Sequence, residues 1–218
     1  MRVLAVMALL VVGCSTIVVH RDAALALRRQ VEKSVVRVLH ESGGGGTGFI
    51  VMMGERKVVV TNDHVCGGEE VLMALSDQTG ESYPLTVLTS TPMADLCIAD
   101  ILGAEALPPL RVGTSTPPLG TTVYTVGHPL LRSLRLESGQ IEAYLPQFGP
   151  PAYSTNIFVL PGQSGSPVLD GELNVVGIIF ARDVAETHTA YVIPVELLNI
   201  MLSGLEEELS KADGAGSN

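Results

Sequence analysis

Residues 161–167 have the sequence Pro-Gly-Gln-Ser-Gly-Ser-Pro, and this turn around Ser164 decides how the rest of the chain is interpreted. Its glycines let backbone N–H groups approach whatever the serine hydroxyl attacks. A serine hydroxyl is a poor nucleophile at neutral pH, so it needs an imidazole to accept its proton and a carboxylate to orient that imidazole. If the turn carries chemistry, the chain must supply a histidine and an aspartate elsewhere.

Two segments upstream of this turn supply such residues. His64 lies in Val58-Val-Val-Thr-Asn-Asp-His-Val-Cys66 and Asp95 lies in Met93-Ala-Asp-Leu-Cys-Ile98, each beside an apolar run that can hold a side chain at a rigid edge. One such residue taken alone is usually a surface or turn residue of a β protein. The three contexts together predict a triad of His64, Asp95 and Ser164. Because the first two precede the middle of the chain and the serine follows it, the site is expected where two halves meet.

Short β-branched runs between Gly, Asp, Asn and Ser clusters dominate both halves of the chain. This pattern predicts an all-β domain over residues 31–203, made of two β units, with Ile157–Leu160 among the strands. The proline-rich stretch at about 103–120 is predicted to link the units. Apolar spacing of three and four after Pro194 predicts a short C-terminal helix, followed by a tail at 204–218.

The composition excludes several classes of protein. The chain has 218 residues, 46% of them hydrophobic and 17% charged, with 23 Gly and 13 Pro, which indicates a globular chain of short elements and excludes disorder or a coiled coil. The formal charge of -10 repels phosphate backbones, so a general nucleic-acid binder is excluded. The histidines and cysteines lack metal-ligand spacing, and no metal site is predicted.

Six segments, in the same order, resemble the trypsin-like serine proteases of the bacterial Deg/HtrA type, and the resemblance runs from about Val31 to Leu202. It implies a chymotrypsin-like double β-barrel, peptide-bond hydrolysis through an acyl-enzyme, polypeptide substrates, and no metal or organic cofactor. The segments are Gly46–Ile50, Thr61–Val65, Asp95–Ile98, Val123–Pro129, Pro161–Gly165 and Tyr191–Pro194.

The resemblance also implies a role for each motif residue. His64 is the general base, Asp95 orients it, Ser164 attacks, and the N–H groups of Gly162 and Ser164 form the oxyanion hole. Two departures limit the transfer. Ser166-Pro167 stands where the family usually has a further glycine. The PDZ module that often follows the protease is expected to be missing, since only a helix and a tail follow the last strand.

Two other functions compete with this interpretation. An α/β-hydrolase esterase has a Gly-x-Ser-x-Gly turn with its histidine last, whereas here the candidate histidine and aspartate precede the serine and the helices of a parallel sheet are absent. A catalytically inactive trypsin-fold barrel, kept as an anchored binding module, is the second alternative. The intact His64, Asp95 and Ser164 set counts against it.

The N-terminus has the arrangement of a bacterial secretory signal, with a positive residue and then an apolar stretch. Leu10-Val-Val-Gly-Cys14 resembles a lipobox, so residues 1–13 are predicted to be a signal peptide cleaved before a lipidated Cys14, and 14–30 a lead-in tether. Apolar character continues to Val19, which leaves an uncut anchor helix as an alternative, and an ordinary cleaved signal is another. All three place the domain outside the cytoplasm. The lipidated form would be anchored in the cell envelope, on its periplasmic or extracellular face.

Cys66 and Cys97 each fall two positions after a predicted triad residue, so their side chains are expected near one another. An exported location permits a disulfide. Two separate buried thiols are favoured, because small apolar residues commonly fill such positions, and the disulfide is the alternative.

The resemblance implies that two stretches of the chain form the wall of the primary substrate pocket. One lies about six residues before the nucleophile, and the other is the strand after it. No charged residue belongs to the predicted wall, and Asp183 is expected at the rim, so cleavage is predicted after small or medium apolar residues such as Val, Ala or Leu. Lys or Arg would need a buried carboxylate partner. The predicted wall residues are Phe158, Ile179, Phe180, Ala181 and Ala190.

Overall fold

The computed structural model describes residues 26–41, 43–146, 151–183 and 189–215, without the side chains of 213–215. The predicted signal peptide, Cys14 and most of the predicted tether therefore lie outside the described residues. Residues 26–31 form helix α1, which delivers the chain to the fold at the buried Val31. No helix in the described part of the chain combines the length and the apolar character needed to cross a membrane.

The first half of the chain forms a closed antiparallel barrel of six strands. Its strands are β1 (Val35–Leu39), β2 (Gly45–Met53), β3 (Arg56–Thr61), β4 (Val71–Leu75), β5 (Ser82–Thr91) and β6 (Leu96–Ile101). They are ordered β1-β2-β3-β6-β5-β4 around the barrel. Strand β4 shows why it forms: Leu72 and Ala74 are buried while Val71 and Met73 face solvent, the two-residue alternation of a strand with one wet face.

The second half forms a second closed barrel. Its strands are β7 (Arg111–Val112), β8 (Thr122–Gly127), β9 (Arg135–Leu145), β10 (Ala152–Thr155), β11 (Pro167–Leu169), β12 (Asn174–Arg182) and β13 (Ala190–Pro194). The ring runs β11-β8-β9-β10-β13-β12 and is closed by pairing of β11 with β12. Strand β7, inside the predicted link, adds to β12 in parallel. The predicted all-β, chymotrypsin-like double barrel is confirmed.

The strands of the first barrel that face the second are apolar on both sides. In β2, Ile50 belongs to the interior of the first barrel, whereas Phe49 and Val51 belong to a cluster that also contains Ile178 of the second barrel. Successive side chains of a strand point to opposite faces, so one strand serves both clusters. This shared core explains why Val58-Val-Val60 is apolar without alternation.

The C-terminal helix α3 (Val195–Ala215) is longer than predicted. The predicted tail at 204–218 is therefore wrong for residues 204–215, which belong to this helix. Leu198, Leu202 and Leu205 continue the helical spacing and are buried in the shared core. Burial of this stripe outweighs the cost of about 1 kcal/mol for the glycine inside the helix.

The predicted strand at Ile157–Leu160 is also wrong, because the strand is β10, directly before it. Ile157 and Val159 are buried in the second barrel, so their alternation reflects packing without ladder pairing. The register between β10 and β9 shifts at Thr155, and the Asn156 side chain then accepts the Gln140 N–H at 2.7 Å. The Asn156 N–H still donates to the Gln140 carbonyl at 3.2 Å, and the pairing ends there although the sequence pattern continues.

Cys66 and Cys97 form a disulfide, with Cα atoms 6.5 Å apart, so the favoured prediction of two separate thiols is wrong. The bridge joins the one-turn helix α2 (Asp63–Cys66) to β6. The sequence places the two cysteines in one neighbourhood, but bonding requires a Cα separation and direction that only the packing of α2 on β6 sets. The bridge closes a loop with a sequence separation of 31 residues. By restricting the unfolded chain, such a loop adds about 3–4 kcal/mol to the free energy of unfolding.

His128 is fully buried directly after β8, and neither ring nitrogen has a hydrogen-bond partner among the described residues. Its Nε2 lies 3.7 Å from Oδ2 of Asp77, which pairs in turn with Arg37. Burial lowers the pKa of His128 to about 4, because the imidazolium would lose its hydration; Asp77 opposes this shift and Arg37 adds to it.

We expect the free energy of unfolding to fall as the pH is lowered from about 6.5 to about 4. In this window an unfolded histidine is protonated while buried His128 stays neutral, so acid favours the unfolded state. The contribution is roughly 1.4 kcal/mol per pH unit, or about 3 kcal/mol in all. Urea denaturation across this pH range measures it, and the slope of stability against pH should become shallower in His128→Gln. Equal slopes in the two proteins would contradict the assignment.

Candidate active site

His64 is held at the edge of the first barrel by α2, which begins as soon as β3 ends. Its Nδ1 lies 2.9 Å from Oδ2 and 3.0 Å from Oδ1 of Asp95, and its backbone N–H donates to Oδ1 at 3.1 Å. The His64 side chain is 49% exposed and that of Asp95 only 17%. A carboxylate that accepts the Nδ1 proton leaves Nε2 as the proton acceptor.

Asp95 lies in the turn between β5 and β6 and has a left-handed backbone, with φ 49°. This conformation is uncommon for a residue with a side chain, although aspartate adopts it more readily than most, and its cost of order 1–3 kcal/mol must be offset by neighbours that hold it. Two hydrogen bonds do so: Asn62 Nδ2 donates to the Asp95 carbonyl at 2.9 Å, and the Asp95 N–H donates to the Pro92 carbonyl at 3.3 Å. The strained turn presents the carboxylate to His64.

Ser164 lies in the loop that precedes β11, between two glycines with left-handed backbones. Gly162 has φ 91° and Gly165 has φ 84°. A Cβ at residue 162 would lie 2.6 Å from the His128 carbonyl oxygen, and one at 165 would overlap the Thr47 carbonyl. Both conformation and space therefore require glycine on either side of the serine.

The loop leaves two of its N–H groups open. Those of Gln163, Gly165 and Ser166 donate to backbone carbonyls at 2.8–3.1 Å. Those of Gly162 and Ser164 have no acceptor within the described part of the chain. Unpaired N–H groups beside a serine hydroxyl are what stabilises an oxyanion during acyl transfer.

The first barrel meets this loop at Gly46. A Cβ at Gly46 would lie 2.6 Å from the side chain of Val65, the neighbour of His64, and 2.8 Å from the Ser164 carbonyl oxygen. The Thr47 N–H donates to the same oxygen at 2.8 Å. Ser164 is therefore brought to the edge of the first barrel beside the helix that carries His64, at the junction where the sequence predicts the site.

A cavity of about 110 Å³ adjoins Ser164. The predicted wall residues Ile179 and Ala181 line it. Phe180, between them, is half-buried against the shared core, and its ring packs on Tyr191 with centroids 6.5 Å apart. Alternation along β12 separates these side chains. The cavity is lined by Val159, Leu160, Pro161, Ser164, Ile179, Ala181 and Arg182.

The other residues predicted for the pocket lie elsewhere. Phe158 is outside the cavity lining, and Ala190 is fully buried in the core of the second barrel. Asp183 follows β12, and its carboxylate accepts the Tyr191 hydroxyl at 3.3 Å. Within the described ranges, no three His, Cys, Asp or Glu side chains converge as metal ligands would.

Two residues at the site, Thr47 and Arg182, are not among those predicted. The buried Thr47 hydroxyl donates to the Gly162 carbonyl at 2.8 Å and accepts the backbone N–H of His128 at 3.0 Å. Its only sequence signal is its place in the Gly46–Ile50 motif. Arg182 reaches the cavity because β12 continues to it, an end point that the apolar run before it does not reveal.

Known proteins resemble this chain along most of its length. A probable periplasmic serine endoprotease, DegP-like, of Halomonas elongata is 30% identical over 180 residues, which cover 78% of this chain and 36% of that protein. The chloroplastic protease Do-like 1 of Arabidopsis thaliana is 28% identical over 173 residues, covering 73% of this chain and 38% of that protein. The chain thus spans less than half the length of these relatives.

Solved structures show the same fold. The serine endoprotease from Yersinia pestis has a TM-score of 0.72 at 21% identity, covering 83% of this chain and 65% of that chain. A protease from M. tuberculosis in its active form has a TM-score of 0.68 at 22% identity, covering 76% of this chain and 78% of that chain. Moreover, the family model of the trypsin-like peptidase domain matches residues 46–178, more than half of the sequence. The chain belongs to the trypsin-like peptidase family.

Proposed function

We propose that the protein is a serine endopeptidase that acts through His64, Asp95 and Ser164. The contact of 2.9 Å between the His64 ring and the Asp95 carboxylate, beside the loop that carries Ser164, is the observation on which this rests. The DegP-like relatives, which are named as serine endoproteases, support the same activity. Polypeptides are the proposed substrates.

The proposed reaction has two halves. Ser164 Oγ attacks the scissile carbonyl carbon while His64 Nε2 takes the hydroxyl proton, and Asp95 holds the ring and stabilises the imidazolium. The N–H groups of Gly162 and Ser164 bind the oxyanion of the tetrahedral intermediate. The C–N bond then breaks and the amine leaves with the proton from His64. Water, deprotonated by His64, attacks the acyl carbon, the ester bond to Ser164 Oγ breaks, and His64 returns the proton to Oγ as the acid leaves.

Replacement of the nucleophile gives the first test of this activity. In Ser164→Ala only binding and the oxyanion hole remain, so we expect kcat to fall by about 10⁵–10⁶ with an unchanged fold. Turnover of a peptide substrate measures the loss, and thermal unfolding checks the fold. More than a few per cent residual activity in the purified variant would exclude Ser164 as the nucleophile.

A catalytically inactive binding module is the alternative that the same fold allows, and it is not favoured. A module that only binds has no use for the left-handed backbone of Asp95, which directs a carboxylate at His64. Nor does it need a pair of open N–H groups beside Ser164. These costs are expected where a reaction is catalysed.

We propose that the cavity beside Ser164 receives the side chain that precedes the scissile bond. Its small volume and the apolar Val159, Leu160, Ile179 and Ala181 suit Val, Ala or Leu. Arg182, half-buried at the same wall, adds a positive charge that disfavours Lys and Arg there. Phe158, Phe180 and Ala190 are not included in this proposal.

Cleavage of a peptide library should therefore give products that end in small apolar residues. In Arg182→Glu the charge at the wall is reversed, and we expect cleavage after Lys or Arg to rise by about tenfold, which corresponds to about 1.4 kcal/mol. Arg182→Gln, which only removes the charge, should raise cleavage after Lys or Arg by less. A wild-type profile dominated by Lys and Arg would contradict the proposed pocket.

We propose that the protein is exported and attached to the envelope by a lipid on Cys14. The lipobox-like sequence supports this, and so does the Cys66–Cys97 disulfide, which is stable in an oxidising compartment. The Halomonas relative is named as periplasmic. Labelled palmitate should be incorporated by the wild type and lost in Cys14→Ser. Equal labelling of both proteins, or of neither, would count against lipid attachment at this residue.

A further inference from the structure

We propose that Thr47 is a positioning residue that sets the geometry of the oxyanion hole from across the junction between the barrels. The loop concerned is residues 160–166 of the second barrel, called the nucleophile loop below. Thr47 lies on β2 of the first barrel. The inference rests on the proposed function and adds to it a residue that does not contact the reacting atoms.

Thr47 makes two direct hydrogen bonds to the nucleophile loop. Its N–H donates to the Ser164 carbonyl and its hydroxyl donates to the Gly162 carbonyl, both at 2.8 Å. The two loop residues so held are those whose N–H groups are open. Thr47 itself is fully buried, so these bonds are shielded from water.

The surroundings leave the Thr47 hydroxyl a single arrangement. It accepts the His128 N–H at 3.0 Å, which directs its own proton to Gly162. The Thr47 carbonyl accepts the Thr61 hydroxyl at 2.7 Å, so Thr61 is already engaged and cannot replace it. The hydroxyl is thus used as donor and acceptor at once.

These bonds control orientation because a peptide group is planar. The N–H of Gly162 belongs to the peptide whose carbonyl is that of Pro161, and the Leu130 N–H holds this carbonyl at 2.6 Å. Thr47 holds the next peptide through the Gly162 carbonyl. With both peptides fixed, the left-handed Gly162 cannot rotate its N–H away from the serine. The Gln163 N–H, on the same peptide as the Gly162 carbonyl, donates to the Leu160 carbonyl at 3.1 Å, so without the Thr47 hydroxyl this peptide keeps only one of its two bonds.

Valine has the shape of threonine without the hydroxyl, so Thr47→Val tests this directly. It leaves the Gly162 carbonyl and the His128 N–H unpaired in a buried place. We expect kcat to fall about 10- to 100-fold with KM changed less than about threefold, since a displacement of about 1 Å costs on the order of 100-fold. Thr47→Ser keeps the hydroxyl and should stay within about threefold of the wild-type kcat.

Thr125→Val is the matched control. Thr125 is also fully buried, and its hydroxyl donates to the Pro167 carbonyl at 2.8 Å, outside the nucleophile loop. Removing it costs one buried hydrogen bond, against two for the Thr47 hydroxyl, so both valine variants should lose stability in urea denaturation, Thr125→Val less, while only Thr47→Val loses kcat. Equal losses of kcat in both would assign Thr47 a merely structural role and overturn the proposal. If Thr47→Val does not fold, Thr47→Ala against Thr47→Ser makes the same comparison.

Hydrogen exchange separates this inference from the proposed activity. Exchange of the 160–166 segment, followed by mass spectrometry, should be faster in Thr47→Val than in the wild type and unchanged in Thr125→Val. This holds even if the wild type hydrolyses no peptide, a result that would exclude the activity alone. Unchanged exchange of the segment in Thr47→Val would overturn the positioning role whatever the activity.

Discussion

The packing of one barrel against the other is the constraint on which the rest of the structure depends. Phe49 and Val51 of the first barrel share a core with Ile178 of the second and with the leucines of α3, so the barrels cannot shift without opening apolar surface to water. Hydrogen bonds beside this core, from Thr47 to the nucleophile loop, fix the position of that loop relative to the first barrel. Burial of the apolar core holds the two barrels together, and the hydrogen bonds determine their relative position at the site.

Each barrel prepares its own half of the site. In the first, α2 carries His64 and the turn before β6 carries Asp95, and the Cys66–Cys97 bridge ties α2 to β6, the strand that follows this turn. In the second, glycines shape the loop that exposes Ser164 and leaves two N–H groups open. Under the proposed mechanism neither half can act alone, because the proposed base and the proposed nucleophile are on different barrels. The chemistry proposed here therefore belongs to the junction.

The sequence predicts those features that depend on local pattern. Alternation gives most strands, and the contact of His64 with Asp95 follows from their motifs. Features set by tertiary packing were missed. The end of α3 depends on what Leu205 covers, and the disulfide depends on how α2 is set against β6. The position of Phe180, by contrast, follows from the alternation along β12, which a wall made of three consecutive residues did not take into account.

The central claim, that Ser164 is activated by His64 across the junction, is tested most directly by reaction with a fluorophosphonate, which labels only an activated serine. Mass spectrometry of the intact protein and of its peptides gives both the stoichiometry and the modified residue. We expect one adduct per chain, on Ser164, and its loss in His64→Ala. A folded wild type that takes up no label, or a His64→Ala variant that is labelled as fast as the wild type, would contradict the claim.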